Sequence, residues 1–538
     1  MTQAPHDLSP VMRRNRLPRT WGIFYGRYGK MLPVQEMALS VIMAHKNAMV
    51  IAPTATGKTE AVMAPLSELM LDEKWAGLSV VYIAPTRALV NDVRFRLKDQ
   101  LEQVGIVLEI KTGDNPSLDY DKPPDILVTT PESLDSILCR HPDALRGLRS
   151  LILDEIHLID NTYRGDQLRL LIRRLRAMKE MSFSTYCLSA TVVDPAEVGL
   201  RYLPPDFEVV QVAGGREINC TYVDSLDSAF AQIDSERLKK ALIFCNSRKG
   251  TEHVGSLCRD RWDPNSVVVH HGSLSKQTRE EGEGFMKGSP WCICVATMTL
   301  EIGIDIGDID VVVLADIPHS VSSMLQRIGR SNRRQSVNRV IAVYETDDEL
   351  DTLMEMMERA KVGVLEPRTY HADESVAVQQ IFSLLYSRPS GMSIDDLSSL
   401  MEGFISYSDL DSIIQSLHDH ELIEIRNGRI QASTSLMDFG ERGKVHSNIP
   451  DPFSVQVVEE KSNTPIGEIY LPVDEVFTLG GRTWKMSRLE NGKLYVRACN
   501  LKAGNVRFRP LVNYGAFFKY LPDEMRSRMK DRAKTFQS

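Results

Sequence analysis

The sequence predicts an α/β chain: two tandem lobes, each a parallel sheet covered by helices, then a winged-helix module and a small β-rich domain. Three observations predict it. Short apolar runs such as AMVIAP, LSVVYIAP, DILVTT and LRSLILDE, then ALIFCNS, SVVVHH, CICVAT and DVVVLAD, alternate with amphipathic helical stretches between about residues 36 and 345. Strands apolar on both faces are the signature of sheets covered by helices on each side. The runs fall into two groups separated near Val212-Ala213-Gly214-Gly215, so there are two lobes. Past a helical connector, the text changes to three helix-like stretches and a hairpin (residues 374 to 434), then to short strands broken by Gly and Asn from Pro452 to about Leu521.

Taken in order, residues 1–20 read as an N-terminal tail, 21–215 as the first lobe and 216–370 as the second. Residues 371–436 read as the winged helix, 437–524 as the small β-rich domain and 525–538 as a basic tail expected to fray. A chain of 538 residues is too long for one core and suits several. Its composition, 43% apolar and 25% charged, is that of a globular protein, and no apolar run reaches the ~18 residues of a membrane span. Arg13, Arg14, Arg16 and Arg19 near the N-terminus are followed by no apolar run, which argues against a secretory signal and for a cytoplasmic protein without membrane partners. The eight cysteines are scattered, with no C-x-x-C pair, so reduced thiols are expected rather than a zinc or iron–sulfur site. A net charge of −8 excludes a surface coated with cations but leaves room for a basic channel.

The chemistry concentrates in a few segments. APTATGKT (52–59) follows the strand-like AMVI and precedes the helix-like EAVMAPLSELM, the strand, loop and helix context in which backbone N–H groups wrap phosphates. Thr56 and Gly57 belong to that loop, Lys58 is positioned for the β- and γ-phosphates, and Thr59 supplies a hydroxyl for Mg2+. Asp154 and Glu155 end the apolar run LILDE, placing two carboxylates at the C-terminal edge of a sheet, where α/β sheets bind ligands. Asp154 is expected to hold Mg2+ through water and Glu155 to orient and deprotonate an attacking water. In the second lobe Arg330 and Arg333 stand three apart, on one helical face, as arginines that can complete a nucleotide site.

Together these motifs resemble the superfamily 2 helicases over roughly residues 30 to 345, which implies two RecA-like lobes and an ATP- and Mg2+-dependent enzyme of the DExH type. The resemblance makes Gln35 the adenine-recognising glutamine, puts Gly303 and Asp305 of TLEIGIDIG near the ribose and water, and gives coupling roles to His157, Ser189, Thr191 and Gln326. It assigns strand contacts to Pro85, Thr86 and Arg87, to Thr112 and Gly113, and to Thr130, Pro131 and Glu132. In the second lobe Arg248, His271, Gly272 and Thr297 fill the matching places. Within the superfamily the chain is more closely similar to the large helicase-related (Lhr) family, sharing KTGDNP, PPDILVTTPESL, DEIHLI followed by RGDQL, VVHHGSLS, HSVSSMLQRIGR and FTLGGRTWKM; SNRR stands where A-G-H is more usual after the last GR. Trp484, flanked by Arg482 and Lys485, is a candidate for stacking on an unpaired base, against the commoner fate of a tryptophan in a small β domain, burial in its core.

The resemblance implies a helicase or translocase moving 3′ to 5′ on single-stranded DNA. It would unwind tailed duplexes or RNA:DNA hybrids in DNA repair or genome maintenance. The alternative expectation is an ATP-hydrolysing remodeller or clamp that does not unwind and works within a larger repair or phage-defence complex.

Overall fold

The computed structural model describes residues 9–535 except 54–55, 179–181, 213–216, 301–306, 332–336, 367–368, 451–453, 472, 491, 500 and 502–513. Gly303, Asp305 and Arg333 therefore lie outside the described residues. The chain divides into two compact units, one of Met1–Val212, Arg368–Asp451 and Val512–Ser538, the other of Ala213–Pro367 and Pro452–Leu511.

The first unit holds a seven-stranded sheet of β1 (Ala48–Ile51), β2 (Val80–Ile83), β3 (Leu108–Lys111), β4 (Ile126–Thr129), β5 (Ser150–Leu153), β6 (Ser184–Ser189) and β7 (Glu208–Gln211). The strand order is β3-β4-β2-β5-β6-β1-β7, with every pairing parallel. β1, β2, β4, β5 and β6 are buried along their whole length, as the unbroken apolar runs require.

Residues 10–20, expected as a tail, are instead built into this unit. The buried Glu68 carboxylate accepts the N–H of Thr20 at 2.9 Å, its hydroxyl at 2.9 Å and the N–H of Arg19 at 3.1 Å, while Leu17 is fully buried. A charge in the middle of helix Lys58–Asp72 thus finds partners only because the N-terminal segment crosses it.

The winged helix belongs to the same unit. Helices Ser375–Ser387, Ile394–Met401 and Tyr407–Asp419 are followed by an antiparallel hairpin of Ile423–Arg426 and Arg429–Ala432. Ser375–Ser387 is buried nearly all round, its polar Gln379, Gln380 and Ser383 included, and it packs against helices Pro131–Arg140 and Tyr163–Ala177 of the lobe. The expected basic tail is helix Asp523–Thr535, with Met525 and Met529 in the core of the winged helix. Arg528 reaches Glu374 at 2.8 Å and Asp409 at 3.2 Å, so the basic residues that suggested fraying are partly spent on local acids.

The second unit contains β8 (Glu217–Val223), β9 (Lys240–Phe244), β10 (Val267–His270), β11 (Cys292–Ala296), β12 (Val311–Leu314) and β13 (Val337–Val343) in the order β10-β11-β9-β12-β13-β8, again all parallel. After the wing strands β14 (Ile423–Arg426) and β15 (Arg429–Ala432), the β-rich domain adds β16 (Val455–Glu459), β17 (Thr464–Ile469), β18 (Val476–Leu479), β19 (Arg482–Glu490) and β20 (Lys493–Ala498). These form a mixed sheet in the order β17-β16-β20-β19-β18, parallel only between β16 and β20.

This sheet is joined to the lobe by backbone. Leu274 and Gly467 form an antiparallel bridge, Ser275 N–H donates to Ile466 O at 2.8 Å, and Glu468 N–H donates to Ser273 O at 2.7 Å. A Cβ on Gly467 would stand 2.4 Å from Ser273 O, so the approach requires glycine.

The same packing corrects the stacking assignment of Trp484. Its ring is 3% exposed, it lies in a core cluster with Leu274, Phe477 and Leu494, and its indole N–H donates to Leu479 O at 2.8 Å. A base cannot reach a ring enclosed in this way. Trp484→Ala is expected to cost about 3 to 5 kcal/mol of stability through the cavity it leaves. Thermal melting checks this: a clearly lower midpoint supports the core role, and an unchanged one restores the stacking assignment.

Candidate functional site

The nucleotide-side residues of the first unit gather at the C-terminal edge of its sheet. β1 runs into the loop containing Ala52, Pro53, Thr56 and Gly57, and helix Lys58–Asp72 begins at once, so the unpaired N–H groups of its first turn face the loop. Gly57 has φ +76°, and a Cβ there would fall 2.3 Å from the Gln35 amide nitrogen, so backbone geometry and close approach both demand glycine. Gln35 is buried; its carbonyl accepts Leu32 N–H at 2.8 Å and its amide donates to Gly57 O at 3.3 Å, which ties helix Pro33–Met43 to the loop. The Thr56 hydroxyl donates to Pro53 O at 2.6 Å. The Lys58 ammonium donates to Ala52 O at 2.9 Å and Pro53 O at 3.3 Å and stands 3.9 Å from Glu155.

Asp154 leaves the end of β5. One of its carboxylate oxygens accepts the Tyr82 hydroxyl at 2.7 Å and the other accepts Glu155 N–H at 2.9 Å. Tyr82 comes from the neighbouring strand β2, fully buried, and its register opposite Ile152 directs it to this carboxylate. Burial, with the Glu155 charge added, pushes the Asp154 carboxyl well above its ordinary range. Glu155 itself occupies the left-handed region at φ +42°, a strained conformation for a non-glycine residue of the kind that clusters at functional sites. The Thr59 hydroxyl accepts from Arg96 at 3.3 Å.

A buried carboxylate, Asp154, next to the half-buried Glu155 is electrostatically suited to a divalent cation. Among the described residues no group of three His, Cys, Asp or Glu side chains forms a metal cage. Mg2+ keeps its waters and takes phosphate oxygens with only one or two protein ligands, places that Thr59 and Asp154 would fill. If the Tyr82 hydroxyl orients Asp154 toward such an ion, Tyr82→Phe is expected to raise the Mg2+ concentration for half-maximal ATP turnover on the order of tenfold, the worth of one hydrogen bond to a charged group. A Mg2+ titration checks it, and an unchanged midpoint would reduce the hydroxyl to a packing contact.

His157 connects this corner to β6. Its Nδ1 lies 3.1 Å from the Ser189 hydroxyl and accepts Ala190 N–H at 3.4 Å, while Glu155 is 3.5 Å away. Burial chiefly, with Lys58 adding and Glu155 opposing, pushes its pKa down to about 4, so the imidazole is neutral at physiological pH and accepts through Nδ1. The Ser189 hydroxyl also meets Thr191 O at 3.0 Å, so the residues from DEIH and SAT assigned to coupling form one hydrogen-bonded group.

The loops assigned to strand contact lie along the same edge. Thr86 and Thr130 cap helices Arg87–Glu102 and Pro131–Arg140, accepting from Leu89 N–H at 3.3 Å and Ser133 N–H at 3.4 Å. Arg87 pairs with Asp114 at 2.5 Å, and Gly113 lies so near that a Cβ would be 2.7 Å from the guanidinium; Thr112 is buried in the same turn. Pro131 is buried at the start of its helix.

Glu132 corrects its assignment. Its carboxylate is bound by Arg164 at 2.7 and 3.0 Å, and Arg164 also donates to Pro85 O. Burial alone would raise the Glu132 carboxyl; the Arg164 guanidinium outweighs it and holds it below the ordinary range. This side chain is anionic and already paired, so it positions the two loops rather than touching a phosphate. Arg164 opens helix Tyr163–Ala177, which follows DEIH, and thereby joins the Pro85 and Glu132 loops to the nucleotide corner.

In the second unit Arg248 donates to the Ser273 hydroxyl at 2.9 Å, bringing together the loops of CNSRKG and HHGSL. The His271 side chain is a second correction. It is fully buried and bonded to Glu252 at 2.7 Å, whose carboxylate also accepts the N–H groups of Gly480 at 2.6 Å and Gly481 at 2.5 Å. His271 therefore anchors the β-rich domain, and the exposed Gly272 is left to face outward. Thr297 is buried with its N–H on His270 O at 3.2 Å; Gln326 is buried in helix Val321–Ile328, and Arg330 just beyond it is 1% exposed. Sequence reading missed Tyr82, Arg96, Arg164 and Glu252 as site-building residues. Only Arg164, within RGDQL, lay in a motif already singled out.

A DEAD/DEAH box helicase family model matches residues 32–198, and a model of the helicase conserved C-terminal domain matches residues 223–335. The chain is similar to ATP-dependent helicase Lhr-Core of Methanocaldococcus jannaschii, 30% identical, with 88% of this chain and 62% of the relative covered. Among solved structures it is similar to Mycobacterium smegmatis helicase Lhr bound to ssDNA and AMP-PNP, with TM-score 0.69 and 26% identity over 82% of this chain and 63% of that one. DUF1998 helicase MrfA bound to DNA, at TM-score 0.71 and 20% identity over 90% of this chain and 73% of that one, shares the fold. The chain spans about three-fifths of the length of the curated relatives it matches.

Proposed function

This chain belongs to the Lhr-like superfamily 2 helicases, and from that membership we propose that it is an ATP-driven motor on single-stranded nucleic acid. The observation that carries the proposal is the convergence of Lys58, Thr59, Asp154 and Glu155 at one sheet edge, with His157 beside Glu155 and hydrogen-bonded to Ser189 of the adjacent strand. Lys58 meets the β- and γ-phosphates of ATP, and the phosphates lie against the N–H groups after Gly57. Thr59 and Asp154 would hold Mg2+, which neutralises phosphate charge when bound. Glu155 orients the attacking water and takes its proton. Arg330 and Arg333 are proposed to stabilise the transferring phosphoryl group, and Gly303 and Asp305 to face the ribose and water.

The strand is gripped through its backbone, by Pro85, Thr86, Arg87, Thr112, Gly113, Thr130 and Pro131 in the first lobe and by Arg248, Gly272 and Thr297 in the second. Helix-start N–H groups and short hydroxyls recognise phosphates and carry no sequence information, so binding is expected to be indifferent to sequence. A single DNA strand is the proposed track because the similar Lhr structure was solved on ssDNA. Movement 3′ to 5′ and unwinding of DNA or RNA:DNA duplexes, in genome maintenance, complete the proposal.

The experiment is ATP hydrolysis measured without polynucleotide and with single-stranded DNA, duplex DNA or RNA, alongside unwinding of 3′- and 5′-tailed duplexes. Stimulation by single-stranded DNA with unwinding of 3′-tailed substrates alone is the expected result. Stimulated hydrolysis without strand separation would replace the motor by a remodeller, and hydrolysis indifferent to every polynucleotide would overturn the nucleic-acid reading.

A further inference from the structure

Beyond the loops already described, the first unit carries a cluster of basic side chains beside an aromatic pair. The Tyr120 ring stacks on the His141 imidazole with centroids 3.8 Å apart and planes 18° from parallel. The Lys111 ammonium stands 5.8 Å over the same Tyr120 ring. Arg140 is exposed beside them, donating to Gly440 O at 3.0 Å with its guanidinium 5.8 Å over the Tyr386 ring. Lys111 from β3 and His141, which caps helix Pro131–Arg140, thus meet at the Tyr120 ring, and Arg140 stands next to His141 over the Tyr386 ring.

The carboxylate on the Arg140 side is Glu441, which meets the Tyr386 hydroxyl at 2.8 Å. Burial first, then Arg140, lowers the Lys111 pKa; burial, Lys111 and Arg140 lower that of His141. Among the described residues none of the three forms an ion pair. The Lys111 ammonium meets a neutral carbonyl, that of Pro116, and Asp119, next to Tyr120, turns its carboxylate back onto the N–H groups of Asp121 at 3.0 Å and Lys122 at 3.2 Å. The dipole of a helix C-terminus accounts for Arg140 and His141. It does not account for Lys111, which arrives from a separate strand. Lys111 and Arg140 repel one another, a cost that an anion beside them would offset.

Position indicates which anion. Lys111 immediately precedes Thr112, and its carbonyl accepts the Thr129 hydroxyl at 2.7 Å, one residue before Thr130. One side of the cluster is therefore continuous with both phosphate-contact loops of the lobe. The other side, Arg140 and His141, ends the ten-residue helix that Thr130 caps, about 15 Å from that cap at 1.5 Å per residue.

We propose that Lys111, Arg140 and His141, grouped around Tyr120, form a phosphodiester-binding site that extends the path of a nucleic-acid strand from the Thr112 and Thr130 loops toward the winged helix. The inference rests on the motor reading above and adds to it a specific exit path on the first lobe. The Tyr120–His141 pair supplies an aromatic surface beside the cations, the combination used by proteins that hold single strands without reading sequence.

The test is the salt dependence of oligo(dT) binding to the full chain, by fluorescence anisotropy at pH 7.5. It compares the wild type with Lys111→Gln and with the Lys111→Gln/Arg140→Gln double variant. Each lost phosphate contact should lower the slope of log affinity against log salt by about 0.7, so roughly 0.7 for the single and 1.4 for the double variant. Thermal midpoint and strand-free ATP hydrolysis should stay unchanged. Unaltered slopes in variants that fold normally would overturn the site while leaving the motor reading intact. Failure of the wild type to bind oligo(dT) would overturn both. Should the double variant fold poorly because the Gly440 contact is lost, the Lys111→Gln slope alone decides.

Discussion

Glu155→Gln is expected to lower strand-stimulated ATP turnover by about two to four orders of magnitude, the usual worth of a positioned general base. Glutamine keeps the size and one acceptor of glutamate, so the left-handed backbone at this position and the fold around it need not change. It cannot take a proton from water. Nucleotide affinity should therefore survive in Glu155→Gln, whereas Lys58→Ala, which removes the ammonium beside the loop carbonyls, should lose affinity and turnover together. Phosphate release and fluorescent-nucleotide binding on both variants separate the two effects. Normal turnover in either one would sink the assignment of the nucleotide site. A Glu155→Gln chain that binds neither nucleotide nor strand would instead point to a structural role for this carboxylate.

The second large effect is on stability, at the junction of the first lobe and the winged helix. Asp135, fully buried, pairs with Arg174 at 3.1 Å and accepts the amide groups of Gln379 and Gln380 at 2.8 Å each and the Ser383 hydroxyl. Asp135→Ala leaves a buried guanidinium and two amides short of their partner, and a loss of about 3 to 5 kcal/mol is expected. Burial alone would raise the Asp135 carboxyl, but the Arg174 charge and the hydrogen bonds around it outweigh that and hold it well below the usual carboxylate range. A depressed carboxyl contributes stability that is complete above its unfolded pKa and is lost as pH falls toward its folded one. The gap between wild type and variant should therefore be constant above about pH 4 and close progressively below it. Denaturant titrations at several pH values check this, and a gap that is small at neutral pH would mean that the junction is held by its apolar contacts alone.

Much of the nucleotide corner was legible because its pieces are local. APTATGKT and DEIH each lie between an apolar run and a helix, and where a strand, loop and helix follow one another within a dozen residues, the backbone path follows from the residues themselves. The same holds for both parallel sheets, whose strands are buried on two faces and so appear as unbroken apolar runs. Partners brought from a distance left no such trace. Nothing around Tyr82 signals that it donates to a carboxylate 72 positions later, and nothing around Glu252 signals that it will hold two glycine N–H groups more than two hundred positions on.

The misassigned residues show the same limit from the other side. Glu132, His271 and Trp484 sit in segments that resemble strand-contacting or flexible surface, and each side chain turns inward to a partner in another element: Arg164, Glu252, and a core that includes Leu274. Residues 10–20 and 523–535 look like polar ends, yet Glu68 and Glu374 draw them into the first unit. By itself the sequence determined which segments become strands and helices and which short motifs carry phosphate chemistry, because these depend on periodicity and neighbouring residues. Which side chains face the ligand and which are consumed in holding the fold, and which lobe each appended domain joins, only the tertiary structure decided, because burial and ion pairing are settled by residues on other elements, from about twenty to more than two hundred positions away.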